Sequence, residues 1–95
     1  MPGPVTDESD IRRLLAMYCQ LLDDGRFDEW IELFTADIEF VVMGMHKNGH
    51  AELRGFIEPS QQADARGKHM ISEPWIEIES NSRATATTDF AWVSK

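Results

Sequence analysis

Four side chains of this 95-residue chain are of types that can move protons in a pocket: Tyr18, Asp23, His69 and Asp89. A histidine serves as acid or base near neutral pH, a carboxylate can hold or take a proton, and a phenol donates a hydrogen bond to an oxygen. Each also has a structural reading. Tyr18 would bury its ring and bond a nearby carbonyl, Asp23 and Asp24 would be solvated or turn-forming carboxylates, and His69 would be a satisfied core histidine. Asp89 stands among Thr, Phe, Ala and Trp, where strands are depleted of Asp, and reads as an outward polar position or a pocket acid. His46 and His50 flank an expected turn and are read as exposed. There is no phosphate loop, zinc signature or nucleophile elbow, and one cysteine with three separated histidines has no metal-ligand spacing. Neither a metal nor an organic cofactor is therefore expected.

The elements that must position these residues follow from periodicity. Residues 1–5 read as a loose arm, after which Thr6 or Asp7 can cap a helix with Glu8 and Asp10 in its first turn. Ile11, Leu14, Leu15, Tyr18 and Leu22 then form one amphipathic stripe. "DDGR" stops it, because Gly25 can take the left-handed conformation that closes a helix. Phe27, Trp30, Ile31 and Phe34 restart the spacing as a second, aromatic-rich helix. "IEFVVMG" predicts a strand with Ile38, Phe40 and Val42 on one side. Asn48-Gly49 signals a hairpin turn, "AELRG" a short returning strand or a loop, and Pro59 confines any later helix to Ser60–Ala65. Residues 69–79 read as a strand interrupted at Pro74, with Ile76 and Ile78 inward, "SNSR" as a turn, and residues 83–95 as a strand pairing back on it. The sum is one α+β domain over residues 1–95.

The totals exclude several partners. Seventeen acidic against nine basic residues give a formal charge of −8, the wrong sign for nucleic acid or an anionic membrane. No apolar run approaches the roughly 18 residues of a spanning helix. One cysteine cannot form an internal disulfide and "MPGPVTDESD" lacks a signal-peptide pattern, so the cytoplasm is the expected compartment.

"IRRLLAMYCQLLDDGRFDEWIELFTADIEF" and "GKHMISEPWIEIESNSRATATTDFAWV", with Tyr18, Asp23 five residues later and His69 opening a strand, resemble the SnoaL-like group of the nuclear transport factor 2-like superfamily. That group includes scytalone dehydratase, hexachlorocyclohexane dehydrochlorinase and bile acid 7α-dehydratase. The resemblance implies a cone-shaped, curved, mostly antiparallel sheet packed on the N-terminal helices around an apolar cavity, with a homodimer or higher homo-oligomer formed through the sheet. Members generally run on through two further strands after the position of Trp92, so the last strands are expected to be missing here.

By the same resemblance Asp23 and His69 form an Asp-His dyad with Tyr18 beside it. His69 would take the proton, Asp23 would fix its tautomer, and Tyr18 would donate to a carbonyl or a departing hydroxyl. Asp89, Trp30 and Phe40 are the expected substrate contacts. The reaction implied is a cofactor-independent elimination, a dehydration above all, on a small hydrophobic ring compound. Isomerisation of the ketosteroid type is disfavoured, because the position of that family's base is apolar here, around Val42. The alternative is a non-catalytic module: a ligand-binding or dimerising domain, or a partner like the small subunit of ring-hydroxylating dioxygenases. It predicts Asp23 and His69 apart and the cavity filled by side chains.

Overall fold

The computed structural model describes residues 7–94; the expected arm and the alternative cap Thr6 lie outside the described residues. Helix α1 (Glu8–Asp23) starts at Asp7, whose carboxylate accepts the Ser9 N–H at 2.8 Å, with Glu8 and Asp10 set against the positive end of the helix dipole. At the other end the Gly25 N–H donates to the Leu22 carbonyl at 3.0 Å and the Arg26 N–H to the Leu21 carbonyl at 2.9 Å, the paired bonds of a Schellman closure. Gly25 sits at φ +71°, as that closure requires. Its open face is covered by Arg66, whose guanidinium lies 5.8 Å from the Phe27 ring centroid and occupies the space an added Cβ would need. Gly25→Ala is therefore expected to destabilise the domain by about 1–2 kcal/mol, read as a lower urea midpoint.

Helix α2 (Phe27–Ile31) is a short helix whose Trp30 and Ile31 are buried, and the stripe runs on through turns to Phe34. Trp30 is 1% exposed and Leu53 is fully buried; with Leu21, Leu22, Ile31 and Ile57 they make the core, flanked by Tyr18, Phe34 and Phe40.

Strand β1 (Glu39–Val42) has the expected alternation, but the hairpin turn comes earlier than Asn48-Gly49. Met43 (φ +49°) and Gly44 (φ +78°) make a two-residue turn of the mirror type into β2 (Met45–Asn48), with Val42 opposite Met45. Asn48 instead occupies the N-cap position of α3 (Gly49–Ser60), without a side-chain cap bond, and its N–H donates to the Glu52 carboxylate at 2.9 Å. The expected strand or loop at "AELRG" is thus helical. Leu53, Phe56 and Ile57 give it an inward face, and Pro59 falls in the last turn, where a missing N–H forfeits one bond rather than breaking the helix. His50 is half-buried rather than exposed: its Nε2 lies 2.8 Å from the Phe34 carbonyl, to which it must donate.

The long C-terminal pairing is present in two halves. Strand β3 (Gly67–Ile71) pairs with β6 (Phe90–Ser94), placing His69 opposite Trp92, and β4 (Trp75–Ser80) pairs with β5 (Arg83–Thr87). Both strands break at the same level, at Ser72–Pro74 and at Thr88–Asp89. The breaks are tied to each other: the Ser72 N–H donates to the Asp89 carbonyl at 2.9 Å, the Thr88 hydroxyl to the Ser72 carbonyl at 2.8 Å, and the Asp89 N–H to the Ser72 hydroxyl at 3.0 Å. Beyond them Ile76 is half-buried, whereas Ile78, expected inward, is 45% exposed. The class is α+β with every strand pair antiparallel, but the described strands form three two-stranded sheets and not one hydrogen-bonded cone.

Candidate active site

The helix closure separates the two neighbouring acids. Asp24, one step past the last helical residue, is the exposed cap, while Asp23 is still on the helix, at the edge of the stripe carried by Leu22, and is buried. The carboxylate of Asp23 meets β3 at the edge that no described strand covers. There the His69 backbone N–H donates to Oδ2 at 2.9 Å, and His69 Nδ1 lies 2.6 Å from Oδ1. A carboxylate only accepts, so Nδ1 carries hydrogen and a neutral ring holds its lone pair on Nε2. Both oxygens of a side chain 2% exposed are thus spent on one residue, which fixes the ring at two points.

Nε2 has no protein partner among the described residues, and His69 lines a cavity of about 530 Å³. This is the size of pocket that encloses a small organic molecule. Leu15, Phe40, Met43, Phe56 and Phe90 supply apolar wall, and the His69 and Phe90 ring centroids are 5.9 Å apart. Its polar side chains among the described residues are Tyr18, Cys19, Ser60, Gln61, His69 and Thr88, with no Lys or Arg.

Tyr18 leans on Trp30 and Phe34, with centroids 5.4 Å and 6.1 Å away, and lines the cavity. Its hydroxyl has no hydrogen-bond partner among the described residues, unlike the carbonyl-bonded core tyrosine that its stripe position allows. Burial, with a smaller contribution from Cys19, pushes its pKa up to about 12. Burial and the nearby Asp23 charge also raise the Cys19 thiol, which keeps it protonated. Tyr18 is the one tyrosine of the chain, so an ultraviolet tyrosinate titration reports it alone. The expected midpoint is near 12. A folded pKa above the unfolded value of about 10 means that the folded state holds its proton longer. Stability should therefore be intact below pH ~10 and fall between ~10 and ~12, by roughly 2 kcal/mol, a fall that Tyr18→Phe removes.

Of the other expected contacts, Phe40 lines the cavity, but Trp30 and Asp89 do not. Trp30 is sealed in the core beneath Tyr18, because the aromatic face of α2 turns toward α1 and α3. Asp89 is exposed in the strand break, so its unusual setting reflects the kink and not a pocket. Cys19, Ser60, Gln61 and Thr88 line the cavity as well, beyond what the sequence pattern predicts. Cys19 had a signal, since it precedes Asp23 by one helical turn; the others had none, because the end of α3 and the break could not be placed from periodicity.

A family model described as a SnoaL-like domain matches residues 4–94 of the chain. No curated protein and no solved structure matches it. Among the described residues no helix is long and apolar enough to cross a membrane.

Proposed function

The chain belongs to the SnoaL-like domain family, within the nuclear transport factor 2-like superfamily, and on that premise we propose that it is a lyase that eliminates water, or a comparable small group, from a hydrophobic ring compound. The observation that carries this reading is the 2.6 Å contact between Asp23 and His69 beside an apolar cavity of about 530 Å³. A binding module has no need of a carboxylate fixing an imidazole, nor a purely structural domain of the space.

In the proposed step His69 Nε2 takes a proton from a carbon made acidic by a neighbouring carbonyl. The C–H electron pair becomes the new C=C bond as the C–O bond breaks, and the imidazolium returns its proton to the departing hydroxide, so that water leaves and the dyad is reset. Asp23 stabilises the imidazolium in between and keeps the Nδ1 proton in place. Tyr18, un-ionised at neutral pH, donates to the carbonyl or to the departing oxygen. Acid–base assistance of this kind is worth about 10²- to 10⁴-fold, enough for a substrate whose proton is already activated. Val42, a wall residue, is aliphatic where a ketosteroid-type isomerase would carry its base, which favours elimination over isomerisation. Turnover by His69→Ala and Asp23→Asn, compared with the parent chain, is the test.

A further inference from the structure

The catalytic reading uses Tyr18 and His69 and leaves Cys19, Ser60, Gln61 and Thr88, of which Gln61 alone has a buried oxygen without a partner among the described residues. Gln61 follows α3 and is held by its backbone on both sides: its N–H donates to the Ile57 carbonyl at 3.0 Å, and its carbonyl accepts from Arg66 Nε at 2.8 Å. Arg66 is in turn laid over Gly25 and Phe27, so the α1–α2 closure that places Asp23 also anchors Gln61. The side chain lines the cavity, and its Oε1 is buried with no hydrogen-bond partner among the described residues. Such an acceptor is costly to leave unmade, and a turn of the terminal amide would present it to a ligand donor in the cavity.

We infer, on the basis of the lyase reading above, that Gln61 is a specificity-determining residue that accepts a hydrogen bond from a hydroxyl of an uncharged ring substrate. The neighbouring hydroxyls already donate within the protein, Ser60 to the Ile57 carbonyl at 2.9 Å and Thr88 to the Ser72 carbonyl at 2.8 Å. Tyr18 supplies a donor, Nε2 of His69 a base and Gln61 an acceptor. The complementary ligand carries a carbonyl and a hydroxyl on an apolar frame. A carboxylate or phosphate would find no Lys or Arg among the described residues of the walls and a chain of formal charge −8 around it.

Isothermal titration of the full chain with naphthol, its methyl ether and naphthoate tests this without knowledge of the substrate. The parent should bind naphthol about five- to tenfold tighter than the ether, the value of one hydrogen bond, and should bind naphthoate more weakly than naphthol. Gln61→Leu should bring naphthol and ether to within about twofold, whereas Gln61→Glu, which keeps an acceptor, should preserve or raise the preference. If Gln61→Leu does not fold, the Glu variant decides: a preference lost there overturns the assignment. Equal binding of naphthol and ether by the parent, or a preference unchanged in Gln61→Leu, overturns it and leaves the lyase reading standing. Naphthoate binding as tightly as naphthol overturns the uncharged-substrate assignment. Binding of none of the three overturns this inference together with the cavity reading beneath it.

Discussion

His69→Ala is expected to lower kcat/KM by about 10²- to 10⁴-fold with the fold retained, because it removes the nitrogen that takes the proton in the proposed step. Asp23→Asn should do comparable damage by a different route. His69 offers two hydrogens to the acid, from Nδ1 and from its backbone N–H. An amide accepts only one of them and turns its own NH₂ toward the other. The backbone hydrogen cannot be surrendered, so the ring relieves the clash by moving its proton from Nδ1 to Nε2. The atom facing the cavity then becomes a donor and the base is gone. Because the two residues act as a unit, the double variant should be little worse than the poorer single one. Folding is affected less, with about 1–3 kcal/mol for Asp23→Asn, since the buried amide still keeps one partner. Circular dichroism and urea unfolding check the fold, and turnover of a hydroxy-ketone ring substrate checks the chemistry. Both variants turning over within a few-fold of the parent would end the dyad proposal.

Trp30→Ala carries the largest expected loss of stability. Trp30 is 1% exposed, and its ring stands 4.8 Å from Phe34, 5.4 Å from Tyr18 and 6.4 Å from Phe40, centroid to centroid. Deleting it leaves a cavity under three aromatic rings at a cost of about 3–5 kcal/mol. A domain of this size has about 5–15 kcal/mol to lose. Trp30→Phe should cost less, in part because Nε1 is buried with no partner among the described residues and its removal relieves an unmet donor. The tyrosinate midpoint of Tyr18 should fall in Trp30→Ala as water reaches its ring. Equilibrium unfolding followed by circular dichroism gives the stabilities, and a loss below about 1 kcal/mol would show that the core is not centred on this residue.

The N-terminal half was legible because its signals agree with one another. The stripe from Ile11 to Leu22, the Gly25 stop and the restart at Phe27 are each what the structure needs at that point, and they also put Asp23 on the edge that turns inward and Asp24 outside it. Helix α3 was not legible, since two strong local features pointed elsewhere. Asn48-Gly49 suits a hairpin, but Gly49, at φ +79°, serves as the entry to a helix, and the turn fell to Met43-Gly44, where nothing but Gly44 announces it. Trp30 and Phe40 show a different limit. Both lie on apolar stripes, and a stripe says that a residue is covered without saying whether protein or empty space covers it. Pairing of the two long strands could be read from their alternation, but the level at which both bend could not: it is set by bonds between Ser72, Thr88 and Asp89, residues 16 or 17 positions apart that have no periodic signature.

Those cross-ties divide the hairpin into an inner and an outer arm, and only the inner arm carries His69. The imidazole is held by Asp23 and by the pairing of β3 with β6, without residues of the outer arm. The irregularity between Ile78 and Ser80 lies in the outer arm, while the five pairs of the inner arm keep one register. Substitutions in the outer arm, which makes no hydrogen bond to Asp23 or His69 among the described residues, are therefore expected to leave the proposed dyad in place.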